Sequence, residues 1–262
     1  MSALNSQAQN TNGVAKNGAE KRGFINFFIL FFRGYGKLMY CGFLTLLFNL
    51  LIIPSGLGAV GQARIARIAV RDRHSFGSDY FEAIKKNWKL ALVSGLINNI
   101  IFIFSAMSLY TMITNKDAGN PLMLIITAFA LLLITFIKYY TSPIMLTFNV
   151  TLGQLYKNAI ILSFTGFWRN ILILVLHISA HIVILLPLLI DIYVGTGIAI
   201  CLYLLLMPAF MSFATQYNVY PVMFKYMIAP FMEKHPGEGT ETLRELGLLE
   251  ETAEQIMQDA TE

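Results

Sequence analysis

PSGLGAVGQARIARIAVRDRH, residues 54–74, separates two apolar runs with a Pro/Gly cluster and then sets four arginines, Arg64, Arg67, Arg71 and Arg73, within ten residues. On a helix, Arg64, Arg67 and Arg71 fall within about 60° of one another, and Ile65, Ala66, Ile68, Ala69 and Val70 cover the rest of the circumference. Pro54, Gly56 and Gly58 are expected to end the preceding apolar run and let the chain turn, because Pro lacks a backbone donor and Gly tolerates positive φ. The expectation is a helix that lies at the cytoplasmic interface or re-enters slightly, with its narrow cationic stripe turned to anionic lipid phosphates or to a partner. The alternative is that these arginines snorkel to headgroups and only set topology.

Composition says what surrounds this stretch. Of 262 residues, 56% are hydrophobic and only 13% charged, which is membrane-protein usage rather than that of a soluble domain. Residues 233–262 hold nine of the fifteen acidic and two of the nineteen basic residues, so the formal +4 conceals a body at +11 and an acidic tail. A basic membrane body points to the lipid bilayer and its anionic headgroups, or to an acidic partner. Without a soluble domain that interleaves Lys/Arg with aromatics, nucleic acid is not an expected ligand. Cys41 and Cys201 both lie in apolar runs, where a thiol acts as a small hydrophobe, and neither a disulfide framework nor a zinc site is indicated. Residues 1–23 are polar and lack an apolar core before a cleavage site, so they read as a disordered tail.

Five apolar runs, at about 38–53, 90–113, 121–137, 170–190 and 192–214, approach the roughly 20 residues a spanning helix needs. The fold expectation is all-α: a polytopic membrane domain over 24–232 with about five transmembrane helices plus amphipathic interfacial helices, and an acidic C-tail over 233–262. GFINFFILFF, residues 23–32, is stopped by Arg33, Gly34 and Gly36, and its ten residues suit an aromatic-rich interfacial helix. FGSDYFEAIKKNWKLAL, residues 76–92, has Asp79 as a candidate cap with Glu82 reaching back, then Tyr80, Phe81, Ile84 and Trp88 opposite Lys85, Lys86 and Lys89. The first loop thus reads as a pair of interfacial helices. Pro143, Pro187, Pro208 and Pro221, in or beside the spans, read as kinks.

With five alternating spans, one side carries six Lys/Arg (Lys16, Lys21, Arg22, Arg33, Lys37, Lys116) and the other thirteen. The positive-inside rule then puts the first loop and the C-tail in the cytoplasm. It leaves the five basic residues of the N-terminal segment outside, in conflict with the same rule.

The order NLLIIPSGLGAVGQARIARIAVR, FGSDYFEAIKKNWKLALVSGLI and FNVTLGQLYKNAIILSF resembles the YesL-like family of small bacterial membrane proteins of unknown function, over roughly residues 24–215. Membership would imply a Gram-positive source and, since such proteins are often encoded beside permeases of carbohydrate ABC importers, an accessory role. The family has no assigned active site, so no functional residue is implied.

The residues that could carry chemistry are few. His177 and His181 stand one turn apart, a spacing that can hold a metal, but no HExxH or neighbouring carboxylate accompanies them, and packed, hydrogen-bonded histidines are expected. Lys138 falls in a span, followed by Tyr139 and Tyr140, which read as an aromatic belt toward which it snorkels. Asn98 and Asn99 suit interhelical hydrogen bonding. Without a Walker A, GxSxG, paired-carboxylate or Cys-His pattern, neither an enzyme nor a cofactor is expected. Two readings follow: a non-catalytic accessory or assembly protein of a carbohydrate ABC import system, meeting its permease subunits through Arg64, Arg67 and Arg71; or a small transporter or channel whose path is lined by Asn98, Asn99, Lys138, His177 and His181.

Overall fold

The computed structural model describes residues 24–114 and 120–234. The N-tail, residues 1–23, and the C-tail beyond residue 234 lie outside the described residues, as does Lys116. Among the described residues all regular structure is helical: α1 (Phe24–Leu50), α2 (Ser55–Val70), α3 (Gly77–Thr114), α4 (Pro121–Thr147), α5 (Leu152–Thr165), α6 (Phe167–Leu185), a 3₁₀ turn (Leu186–Leu189), α7 (Ile192–Met223), a π-helical turn (Phe224–Ile228) and α8 (Ala229–Lys234). Five stretches are long and apolar enough to cross a membrane: Ile25–Leu50, Gly77–Thr114, Pro121–Thr147, Phe167–Leu189 and Ile192–Lys234.

The starts of these helices are chemically marked. Asn120 accepts from the Leu122 amide at 3.1 Å, with Pro121 in the first turn. Thr151 and Gln154 complete a capping box before α5. Asp191 accepts from the amides of Tyr193 and Val194 at 2.9 and 2.8 Å to open α7. At α3, Asp79 takes the reaching-back position, accepting from the Phe76 amide at 2.7 Å, while Glu82 pairs with Lys86 at 2.9 Å.

GFINFFILFF is not a separate interfacial helix. It continues as α1 through Arg33, Gly34, Gly36 and Lys37, because those cations have partners: Arg33 pairs with Asp72, and Lys37 donates to the Ser75 carbonyl. Its aromatic face has a protein partner too. Phe27 and Phe31 meet the Phe213 ring of α7 edge-on, at 5.1 and 5.4 Å between centroids.

Nor is the first loop a pair of interfacial helices. The segment around Asp79 to Lys89 is the start of the 38-residue α3, and α2 is enclosed by its neighbours, with twelve of its sixteen residues buried. It runs antiparallel to α1, Gln62 Nε2 donating to the Leu38 carbonyl at 3.1 Å and Thr45 Oγ1 to that of Gly58 at 3.2 Å. Gly56 and Gly58 serve this packing rather than a turn. A Cβ on Gly56 would lie 1.9 Å from the Ala91 carbonyl oxygen, and one on Gly95 would lie 2.5 Å from the Gly56 Cα, so α2 and α3 touch backbone to backbone as small residues permit. The short amphipathic helix of the fold is α5, which buries Leu155, Ala159 and Leu162 and exposes Lys157, Ile160 and Phe164.

A consequence is that α1 and α3 point the same way. Lys37 sits at Ser75, Thr45 Oγ1 lies 3.0 Å from the Tyr80 hydroxyl, and Asn99 Nδ2 donates to the Ile52 carbonyl at 3.3 Å, in ascending order on both helices. α1 and α2 are therefore a helical hairpin, and the counting that set Arg33 and Lys37 on the opposite side from Arg71 and Arg73 is corrected: all four lie at one end. α4 runs back along α3, with Ser94 near Met145 and Thr127 near Met112. α6 and α7 are likewise antiparallel, and α7 returns along α1, so Arg169 and Lys225 also lie at the basic end. The hairpin tip at Ile52 meets Asn99, fifteen residues before the end of α3, about 22 Å short of it at helical rise.

Candidate functional site

The hairpin, α4, α6 and α7 line an open cavity of about 590 Å³, to which Phe102 of α3 also contributes. Its walls are mostly apolar, and Lys138 of α4 is the one Lys, Arg, Asp or Glu among its described lining residues. The Lys138 ammonium lies 4.7 Å from the Phe102 ring centroid, a cation–π contact. No carboxylate among the described residues pairs with it. The expected aromatic belt is corrected here: Tyr139 and Tyr140 are buried in the core, Tyr140 donating to Asn170 Oδ1 at 2.8 Å, and Lys138 lines the cavity. The reason is the crossing of α4 and α6, which covers the face that sequence alone would leave to the interface.

His177 and His181 line the same cavity. His177 Nε2 lies 3.1 Å from the Met211 carbonyl oxygen and its ring stands edge-on to Tyr139 at 5.4 Å. His181 Nδ1 lies 2.7 Å from the His177 carbonyl oxygen. Carbonyls accept only, so both contacts make the ring nitrogen the donor. Among the described residues no group of three His, Cys, Asp or Glu could hold a metal.

A second cavity of about 230 Å³ adjoins the first, sharing Asn49, Ala59, Lys138 and Ser142 with it. Asn98 and Asn99 line this one. Asn98 Oδ1 accepts from the Tyr156 hydroxyl at 2.9 Å, and Asn99 donates to Ser55 Oγ at 2.6 Å. The asparagines thus bind helices together, as expected, while standing at a cavity wall. The five intramembrane polar residues singled out in the sequence are brought to two contiguous cavities with Lys138 in both.

Sequence reasoning missed two further polar groups there. Gln62 and Tyr139 are among the residues that line the larger pocket, and Gln62 Oε1 and the Tyr139 hydroxyl, both shut off from solvent, have no hydrogen-bond partner among the described residues, at a cost of about 1–3 kcal/mol for each buried unpaired polar atom. The signal for Gln62 was present: it is the one uncharged polar side chain larger than Ser on α2, whose other residues are small, apolar or the arginines Arg64 and Arg67.

The arginine stripe turns the other way from its expected direction. Arg67 is 3% exposed and donates to Thr147 Oγ1 at 2.8 Å, the Pro143 carbonyl at 2.9 Å and Gln216 Oε1 at 3.4 Å. The Arg71 guanidinium lies 4.5 Å from the Tyr220 ring centroid, and Arg64 is half-buried. With Pro143 inside α4 and α7 alongside, inward-facing acceptors satisfy the guanidinium, and Arg67 joins α2, α4 and α7 instead of reaching phosphates.

Compared with family models, curated proteins and solved structures, the chain matches none.

Proposed function

We propose that this is a multi-pass membrane carrier that accepts a small amphipathic acid in the central cavity, acting without a chemical step. The observation that carries this reading is the Lys138 ammonium: a cation among mostly apolar walls, without a carboxylate partner among the described residues, is matched by an anionic group on an apolar body. The volume of about 590 Å³ lies within the range of small-molecule sites, which combine apolar walls with a few placed polar groups. Carriage is favoured over the accessory reading because the residues that would have met permease subunits include Arg67, which faces inward, whereas the residues that would line a path are distributed over two adjoining pockets with Lys138 in both.

The test is binding of tritiated palmitate to the full chain in nanodiscs. Saturable binding near one per chain is expected, weakened about tenfold by Lys138→Met, as the loss of one desolvated charge contact of roughly 1.4 kcal/mol implies. Binding that is absent, or equal in the variant, overturns the reading.

Orientation belongs to the same proposal. The end with Arg33, Lys37, Arg71, Arg73, Arg169 and Lys225 is assigned to the cytoplasm, since among the described residues the other end, at Asn120 and Asp191, carries no Lys or Arg. With a hairpin that enters and returns, the proposal assigns the N-tail to that side as well, which removes the conflict left by alternating spans. In a Cys-free background, Ser6→Cys and Ser78→Cys are expected to resist an impermeant maleimide in intact cells, while Asn120→Cys reacts. Labelling of Ser6→Cys without Ser78→Cys would restore the alternating arrangement.

A further inference from the structure

The smaller cavity, of about 230 Å³, differs in chemistry from the larger one beside it. Asn98, Asn99, Ser142 and Lys138 line it, and the protein uses only part of their bonding capacity. Asn98 is 5% exposed. Its Oδ1 accepts from the Tyr156 hydroxyl at 2.9 Å, while its Nδ2 donates to no group among the described residues. Asn99 is the converse: Nδ2 donates to Ser55 Oγ at 2.6 Å and to the Ile52 carbonyl at 3.3 Å, while Oδ1 accepts from no group among the described residues. The Ser142 hydroxyl likewise has no hydrogen-bond partner among them. None of these three atoms is shut off from solvent as Gln62 Oε1 and the Tyr139 hydroxyl are, so each is accessible to an occupant. Ser55, which opens α2, lines the same cavity, and α2 has neither a side-chain cap nor an acidic residue in its first turn. The positive end of its dipole therefore favours an anion there.

We propose that the smaller cavity receives the head of the carried acid, and that this head joins its carboxylate to a secondary amide, as in an N-acyl amino acid. The inference rests on the carrier reading and specifies its substrate class. Lys138 lines both cavities, so a ligand with its charge at Lys138 extends its acyl chain into the apolar space and its remaining polar groups into the other. A bare carboxylate answers Lys138 and Asn98, but it only accepts, and Asn99 Oδ1 calls for a donor. A secondary amide supplies both roles, its carbonyl taking the Asn98 Nδ2–H and its N–H reaching Asn99 Oδ1. A hydroxyl carries donor and acceptor on a single oxygen. Asn98 and Asn99, however, are successive positions on α3, about 100° apart around its axis, and suit a group whose donor and acceptor sit on separate atoms.

The test measures saturable binding of tritiated ligands to the full chain in nanodiscs: N-palmitoylglycine, palmitate, α-hydroxypalmitate and O-palmitoylglycolate, in which an ester oxygen replaces the amide N–H. N-palmitoylglycine is expected to bind about tenfold tighter than palmitate, as two added hydrogen bonds imply, and about threefold tighter than the ester, which keeps only the acceptor. Lys138→Met should weaken all four ligands. Asn98→Leu removes one of the two added bonds and should cut the preference for N-palmitoylglycine over palmitate to about threefold. Should that variant fail to fold, the ester decides the matter on the unaltered chain. Palmitate bound through Lys138, with N-palmitoylglycine no tighter, would overturn the amide head and leave the carrier reading standing. α-Hydroxypalmitate as tight as N-palmitoylglycine would overturn the amide in favour of a hydroxyl. Binding of neither palmitate nor N-palmitoylglycine would overturn the carrier reading and this inference with it.

Discussion

Valine at Gly56 is expected to lower the stability of the folded protein by on the order of 3 kcal/mol, the upper part of the range for overpacking a filled contact. The Gly56 position has no room even for a methyl group, since its Cβ would fall 1.9 Å from the Ala91 oxygen and 2.9 Å from the Gly95 Cα. Those atoms are backbone, so neither can swing aside as a side-chain tip would. Relief requires α2 and α3 to separate, which would lengthen the Asn99 bonds to Ser55 and to the Ile52 carbonyl. Gly95→Val meets the same wall from the other side, and the double variant should be less than additive because one separation relieves both. Gly153, where a Cβ meets nothing within 4 Å, is the control: Gly153→Ala should leave stability within about 0.5 kcal/mol. Denaturant titration of purified variants measures this directly, and an unaltered midpoint for Gly56→Val would show that the helices do not meet at these glycines.

Arg67→Met is the second change with a large expected effect. It removes donors to three acceptors on two other helices and leaves Gln216 without that bond in the interior, for a loss on the order of 3 kcal/mol. Arg67→Lys should recover only part of this, because a single ammonium cannot reproduce the planar fork that meets Thr147, the Pro143 carbonyl and Gln216 together. If the arginines only oriented the chain in the membrane, lysine would serve as well as arginine. Denaturation midpoints for the two variants separate the cases: Arg67→Lys indistinguishable from wild type would return Arg67 to a topological role.

The apolar runs were legible because their lengths and composition depend on the chain alone, and each overlaps one of the five candidate spans of the structure. Their ends were not. Arg33, Gly34 and Gly36 look like a stop until Asp72 arrives from the next turn to pair with Arg33, and nothing local in the sequence announces that pairing. The direction of α2 was hidden for a related reason. Its periodicity places Arg64, Arg67 and Arg71 on one face, but a face is polar-out only if the surroundings offer no acceptors, and here Pro143 and Thr147 in α4 and Gln216 in α7 do. Of the candidate site, Lys138, His177 and His181 could be picked out by type because ionisable residues are rare in apolar helices. That Gln62 Oε1 and the Tyr139 hydroxyl lack a partner among the described residues is a property of three-dimensional neighbours, which residue type does not carry.

The aromatic cluster of Phe27, Phe31 and Phe213 ties the start of the described chain to its last long helix. A ribosome releases those two pieces far apart in time, so α1 must wait in the membrane with its aromatic face lacking its final partner until α7 emerges. Arg67 waits for Gln216 over nearly the same interval. Assembly is therefore gated at the end of synthesis rather than accumulated helix by helix. Nascent chains arrested before residue 213 should stay protease-sensitive within α1, and a block to that helix's docking would surface as degradation of the whole protein rather than as loss of one segment.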